Sequence, residues 1–371
     1  MTGSVALARR LRAPLAVGAV AIALALAWSR RPPPAPTPPA PTPPAPVTPA
    51  PEPPAPPPPR RVPRVAPAPV VTADAGEDLA PGEVARGAWG SALGSFGHTS
   101  EPEANPEGPM AIAVASDGSL DVLDARNGRV QRFVNGRAVS TAGPVGAATQ
   151  DLAHTPDGRV VALDRLGAGT VTVFDREGRP AATVALRGGP IAEGGAVTGV
   201  FADADGIYVE HAHREVVRVA DAEGRDDPAR PTLWGRPSRD GAQLLRAAIE
   251  DRARGTVRVT VAARENGAVD WSAVVPLGAS VLHLVMLDSD RAGRVYVAAT
   301  VGTFTEDGLR DPALVVARLD RAGAVDGTLR LPPLAGDDEL FRPVVVDDAG
   351  AVYVMDSGPD GLVVRRYAFA R

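Results

Sequence analysis

Between Gly108 and Arg137 apolar and polar positions fall into short blocks: Met110 to Ala115, Leu120 to Leu123 and Val130 to Val134 are apolar, and turn residues divide them. Asp117-Gly118 separates the first block from the second, Asn127-Gly128 the second from the third, and Asn135-Gly136 closes the unit. Such dipeptides supply the positive φ that tight hairpins need, so the pattern predicts a three-stranded antiparallel meander.

The pattern recurs. Aligned on the glycine that ends the turn between the first two strands, units fall at Gly118, Gly158, Gly206, Gly293 and Gly350, with steps of 40, 48, 87 and 57 residues. The step of 87 is twice the usual one and predicts a hidden unit, placed at Gly255. That unit is the weakest, because Leu244, Leu245, Ala248 and Ile249 also suit one face of a short helix. A second turn supports the register: Asn135-Gly136, Asp175 to Gly178, Asp221 to Gly224 and Asp320 to Gly323 each follow a third strand. The last of these comes late, in step with a polar insertion from Thr303 to Asp311.

Six units between Val84 and Arg371 average 48 residues, the size of a small four-stranded sheet. A lone meander of this size cannot bury both faces, so the units must stack. The expected fold is all-β: a six-bladed β-propeller of four-stranded antiparallel blades over residues 82–371, with five or seven blades as the margin. An open β-solenoid is the rival and fits worse, since its rungs are shorter and more regular. Ring closure has an available partner. Val84 to Phe96 is an unclaimed strand-like segment, and the final unit ends in its third strand, Leu362 to Phe369.

The first 81 residues have another character. Residues 1–12 carry Arg9, Arg10 and Arg12; residues 13–29 are uncharged; Arg30 and Arg31 follow. This predicts a hydrophobic helix acting as an uncleaved signal anchor, with the folded domain outside the cytoplasmic membrane, periplasmic or extracellular. Cleavage after Ala27, giving a secreted protein, is the alternative. Residues 30–81 hold 21 of the 39 prolines between Pro32 and Pro69 and are expected to be a disordered, polyproline-II tether. Straight, it would reach roughly 100 Å at ~3.1 Å per residue.

Composition narrows the function. The net charge of −5 argues against nucleic acid as a partner, and the basic residues are all arginine. With no cysteine there is no disulfide framework, thiolate metal site or thiol nucleophile.

Ser95-Phe96-Gly97, Gly108 to Val114, Asp117-Gly118, Val122-Leu123-Asp124 and Asn127 to Phe133 together resemble an NHL repeat: a Phe-Gly, a Pro-Gly-Ile-Ala-like strand, Asp-Gly, a Val-Ala-Asp-like strand and Arg-Ile-Gln-Phe. The match is good in unit one, fair in units two and six and poor in unit four. The resemblance implies a ring of blades around a central channel. Many such proteins bind proteins, glycans or RNA there, and a few carry out lyase or lactonase chemistry.

Candidate chemistry is sparse. Asp124, Asp164 and Asp356 end second strands, with Glu210 near the same place in unit three; a carboxylate repeated at one position reads first as a turn cap or an arginine partner. His154 and His283 lie on predicted first strands and His211 follows a second one. Converging at one mouth with Asp164 and Glu210, these side chains would make a divalent-metal or general-base site, yet nothing in their spacing demands it. Asp203-Ala204-Asp205-Gly206 and Asp288-Ser289-Asp290 lack the long oxygen-donor series of a calcium loop. The expectation is therefore a monomeric, membrane-anchored binding module for an envelope protein or glycan, without a cofactor and leaning away from an enzyme. A metal-assisted lactonase or lyase is the alternative.

Overall fold

The computed structural model describes residues 82–100, 105–306, 308–336 and 338–369. The expected basic region, membrane segment and Pro-rich tether, residues 1–81, lie outside them. Among the described residues no helix is long and apolar enough to cross a membrane.

Six four-stranded antiparallel sheets make a closed ring. The innermost strands, in order round the ring, are Ile112–Val114, Thr149–His154, Val197–Ala202, Arg236–Pro237, Val281–Ser289 and Val344–Val346. Blades one to five each use four consecutive strands. Blade six takes its outermost strand from the other end of the fold: Glu83–Ala88 pairs antiparallel with Gly361–Tyr367. The Trp89 indole N–H donates to Gly358 O at 3.1 Å, just beyond that ladder. The expected joining of the two ends is thus what the fold contains.

Why the strands read as continuous apolar runs follows from the ring. Each blade is covered on both faces, so both sets of alternating side chains are buried. In blade one Val122 packs toward blade six and Leu123 toward blade two. In blade six Val345 packs toward blade one, while Val344 and Val346 pack toward blade five. At about 1.5–3 kcal/mol per fully buried aliphatic side chain, these shared layers are the main source of cohesion.

Three details differ from the sequence expectation or refine it. In blade four the first turn is Ser238 to Gly241, with Gly241 at φ +75°; Gly255 closes the second turn instead. The blade's first strand has only two residues, Arg236–Pro237, too short to register as an apolar block. Leu244, Leu245, Ala248 and Ile249 lie on the strand Gln243–Asp251, not on a helix. Gly206 is required for closeness rather than handedness, since a Cβ there would sit 2.5 Å from Ala220 O. Finally, the Thr303 to Asp311 insertion lengthens a hairpin: the strands Val295–Thr305 and Gly308–Leu319 stay paired out to Thr305 and Gly308.

Candidate functional site

Antiparallel pairing assigns every residue to one of two mouths. Thr149 pairs with Asp164, and Val197 with His211, so starts of first strands and ends of second strands share one mouth. His154 pairs with Val160 and lies at the opposite end. His154 is therefore set apart from the other four candidates. Asp164, Glu210 and His211 sit at the first mouth, His283 nearer it on blade five, and His154 at the second. Among the described residues no group of three His, Asp or Glu side chains is arranged to hold a metal ion.

Several of these groups already have partners. His154 Nε2 lies 2.7 Å from Asp121 Oδ2 of blade one, and Asp121 also accepts from Arg132 at 2.7 and 2.9 Å. Burial would raise the Asp121 carboxyl, but the hydrogen bonds from Arg132 and His154 outweigh it and hold the group below the usual carboxylate range. Glu210 accepts both prongs of Arg236 from blade four, at 2.8 and 3.0 Å, and the Thr198 hydroxyl at 2.9 Å. Its burial is opposed by His213, Arg236 and Thr198, which together hold it well below the usual range. Asp164 accepts the Gly167 N–H at 2.7 Å as a turn cap. Asp356 similarly accepts the Ala335 N–H at 2.9 Å. Asp124 is fully buried and takes hydrogen bonds from Gly97 N–H, Asn127, Arg129 and Gln131. His283 lies near Thr300 Oγ1 at 3.3 Å on a surface that only partly shields it; that partial desolvation, then Arg252, lower its imidazole pKa. His211 ends its strand opposite Val197 and Glu215, and its carbonyl accepts the Arg214 N–H in the following turn.

The acid response of the Asp121 clasp follows from its sign. A carboxyl depressed in the folded state contributes stability that is complete above about pH 4 and is lost as pH falls through the folded value. Asp121→Asn is expected to flatten the acid limb of stability. Urea midpoints taken from pH 6 down to pH 2.5 should fall less for the variant than for the parent chain.

The centre of the ring holds what spacing did not suggest. Asp151, fully buried on the first strand of blade two, accepts Arg342 Nη2 at 2.6 Å and Val200 N–H at 2.9 Å. Arg342 precedes the first strand of blade six and also donates to Val200 O at 2.8 Å. Blade one lies between blade six and blade two, so this guanidinium links blade six to blades that do not adjoin it. It lies 5.0 Å from the centre of the Phe201 ring, and Arg236 lies 5.2 Å from the same ring, each in cation–π range. Complete burial raises the Asp151 carboxyl, while Arg342 and the amides of Val200 and Leu152 pull the other way. At the second mouth Arg239 of blade four reaches Asp288 of blade five at 3.1 Å and Asp348 of blade six at 3.3 Å. The polar run Thr149-Gln150-Asp151 inside a first strand was the available signal for this lattice. Its partner, an arginine 191 residues later in sequence, had none.

The arrangement braces the ring and presents loops; in the imidazole–carboxylate contacts of His154 with Asp121 and of His213 with Glu210, the carboxylate is shared with an arginine. No protein-family model matches the chain, and no curated protein matches it. Among solved structures the chain is similar to hydrazine synthase from Kuenenia stuttgartiensis, with 14% identity over 66% of this chain and 73% of that one, TM-score 0.44. It is also similar to a gluconolactonase from Xanthomonas campestris, with 18% identity, coverage of 69% and 85%, and TM-score 0.40. Virginiamycin B lyase from Staphylococcus aureus shares 9% identity over 73% and 87%, TM-score 0.38. At these levels the likeness concerns the path of the chain and carries no residue correspondence.

Proposed function

We propose that this NHL-like propeller is a non-catalytic binding module, held outside the cytoplasmic membrane by residues 13–29 and their Pro-rich tether, with an envelope protein or glycan as its ligand. The observation that carries the reading is the engagement of the candidate reactive groups. His154 is taken by Asp121, Glu210 by Arg236 and Asp164 by a turn amide, so each serves cohesion. What remains for recognition is the loop set at the first mouth, where side chains from several blades are exposed and borne on a rigid ring. Leu166, 59% exposed on the loop after the second strand of blade two, belongs to it.

The test pairs Leu166→Asp with Arg214→Glu on neighbouring loops and measures capture of envelope protein and of an immobilised glycan panel by the full chain. The double variant is expected to lose capture while keeping the parent melting temperature. Turnover of lactones that depends on added divalent metal and disappears in Glu210→Gln would replace this reading with the metal-assisted lactonase or lyase.

A further inference from the structure

We propose that a cleft on the rim of the first mouth, between blades four and five, binds a small amphiphile: an apolar chain ending in a carboxylate that Arg252 receives. The cleft has a volume of about 500 Å³, within the usual range of small-molecule sites, and is lined by Arg252, Ala253, Ser280, Val281, Leu282 and Phe304. It stands apart from the axial lattice and does not depend on what the mouth loops bind.

Three observations make this a site for that chemistry. The first is the wall. The lengthened hairpin of blade five carries Phe304 beyond the body of the sheet, where it is 73% exposed, more than any other large apolar side chain among the described residues. Leu309 pairs with it across the hairpin and is 42% exposed. Gly302 permits this, because a Cβ there would meet Leu309 Cδ1 at 2.7 Å. An apolar chain laid along Phe304 would remove that surface from water.

The second is the fixed cation. Arg252 O accepts Val281 N–H at 2.9 Å, and Arg252 Nη1 donates back to Val281 O at 2.8 Å and to Leu282 O. The guanidinium is thus anchored by one nitrogen on the cleft floor. Its Nε and Nη2 donors have no protein acceptor among the described residues, and they can form the two-pronged bond that a carboxylate matches.

The third is contrast. Arg236 and Arg342, which face the axis, are each matched to a carboxylate, by Glu210 and Asp151. Arg252 has no acidic partner among the described residues, so its charge is left for a ligand. The Ser280 hydroxyl is directed to Ala253 O at 3.1 Å and does not compete. An apolar wall with one unmatched, oriented cation selects a molecule with one anionic end.

Calorimetric titration of the full chain with decanoate tests this, with decanamide as the uncharged control. Saturable one-to-one binding of decanoate is expected. Arg252→Gln should weaken it about tenfold or more, the usual value of a charge-assisted hydrogen bond, and Arg252→Lys should recover part of the loss. Phe304→Ser should weaken decanoate and decanamide alike. Both side chains are exposed, so the variants should keep the parent melting temperature. The proposal is overturned by absence of saturable binding, by equal affinity for decanoate and decanamide, or by decanoate binding that Arg252→Gln leaves unchanged. None of these outcomes bears on capture by the mouth loops, which Leu166 and Arg214 report.

Discussion

A chain beginning at Gly90, without the strand Glu83–Ala88, is expected to lose its cooperative unfolding transition altogether. That strand contributes five register pairs with blade six, from Glu83 opposite Arg365 to Ala88 opposite Gly361, and buries Ala85 completely. At about 1 kcal/mol net for each ladder bond, before the apolar contribution, the loss is of order 5 kcal/mol. A domain's whole stability is about 5–15 kcal/mol, and the truncation also leaves an open strand edge on blade six. A point variant separates the contact from the length of chain. Gly361 lies at φ +146°, and a Cβ there would sit 2.1 Å from Gly87 O, so Gly361→Val should force the two strands apart. Near-ultraviolet dichroism during heating, with gel filtration of the soluble fraction, reads both. A truncated chain that melts sharply at the parent temperature would show that the ring is not held shut there.

The second large effect is at the axis. Asp151→Ala removes the carboxylate that Arg342 and the Val200 amide both use, leaving a partly buried guanidinium without its counter-charge. Breaking a fully buried pair from one side costs about 3–5 kcal/mol, and the partial exposure of Arg342 places this loss at about 2–3 kcal/mol. The expected result is a correspondingly lower urea midpoint with an unchanged slope. Arg342→Met in the same chain should restore part of the loss, because it removes the orphaned charge and keeps the volume over Phe201. A double-mutant cycle checks this. Strict additivity of the two substitutions would mean that the side chains do not act as a pair.

Asp151 has a pH signature of its own. Its carboxyl is raised in the folded state, so its contribution to stability improves as pH falls through the folded value toward about 4, where the unfolded group titrates. Asp121, which is depressed, behaves in the opposite sense. The two buried carboxylates of neighbouring blades therefore partly cancel in the acid response of the whole chain, and single variants are needed to see either.

The blades were legible because turn chemistry is local. Gly118, Gly158, Gly293 and Gly350 sit at φ between +75° and +90° where a hairpin needs them, and each can be recognised from its own few neighbours. The same locality explains the slip in blade four, where a two-residue first strand offers no apolar block and the next glycine took its place. Repeat length and the incomplete last unit were enough to predict both the count of six and the joining of the ends. Burial on both faces of each blade makes the short apolar runs necessary, so the chain states its ring almost directly.

The site was not legible in this way. Whether His154 meets Glu210 depends on which end of a strand each occupies, and pairing puts them at opposite mouths. Whether Asp151 meets Arg342 depends on curvature summed over all the blades between them, which no single repeat encodes. By itself the sequence determined the sheets, their number and their closure, because hairpins and burial act over a few residues. Only the tertiary structure decided which charges face one another across the ring, because those contacts exist only once every blade is in place.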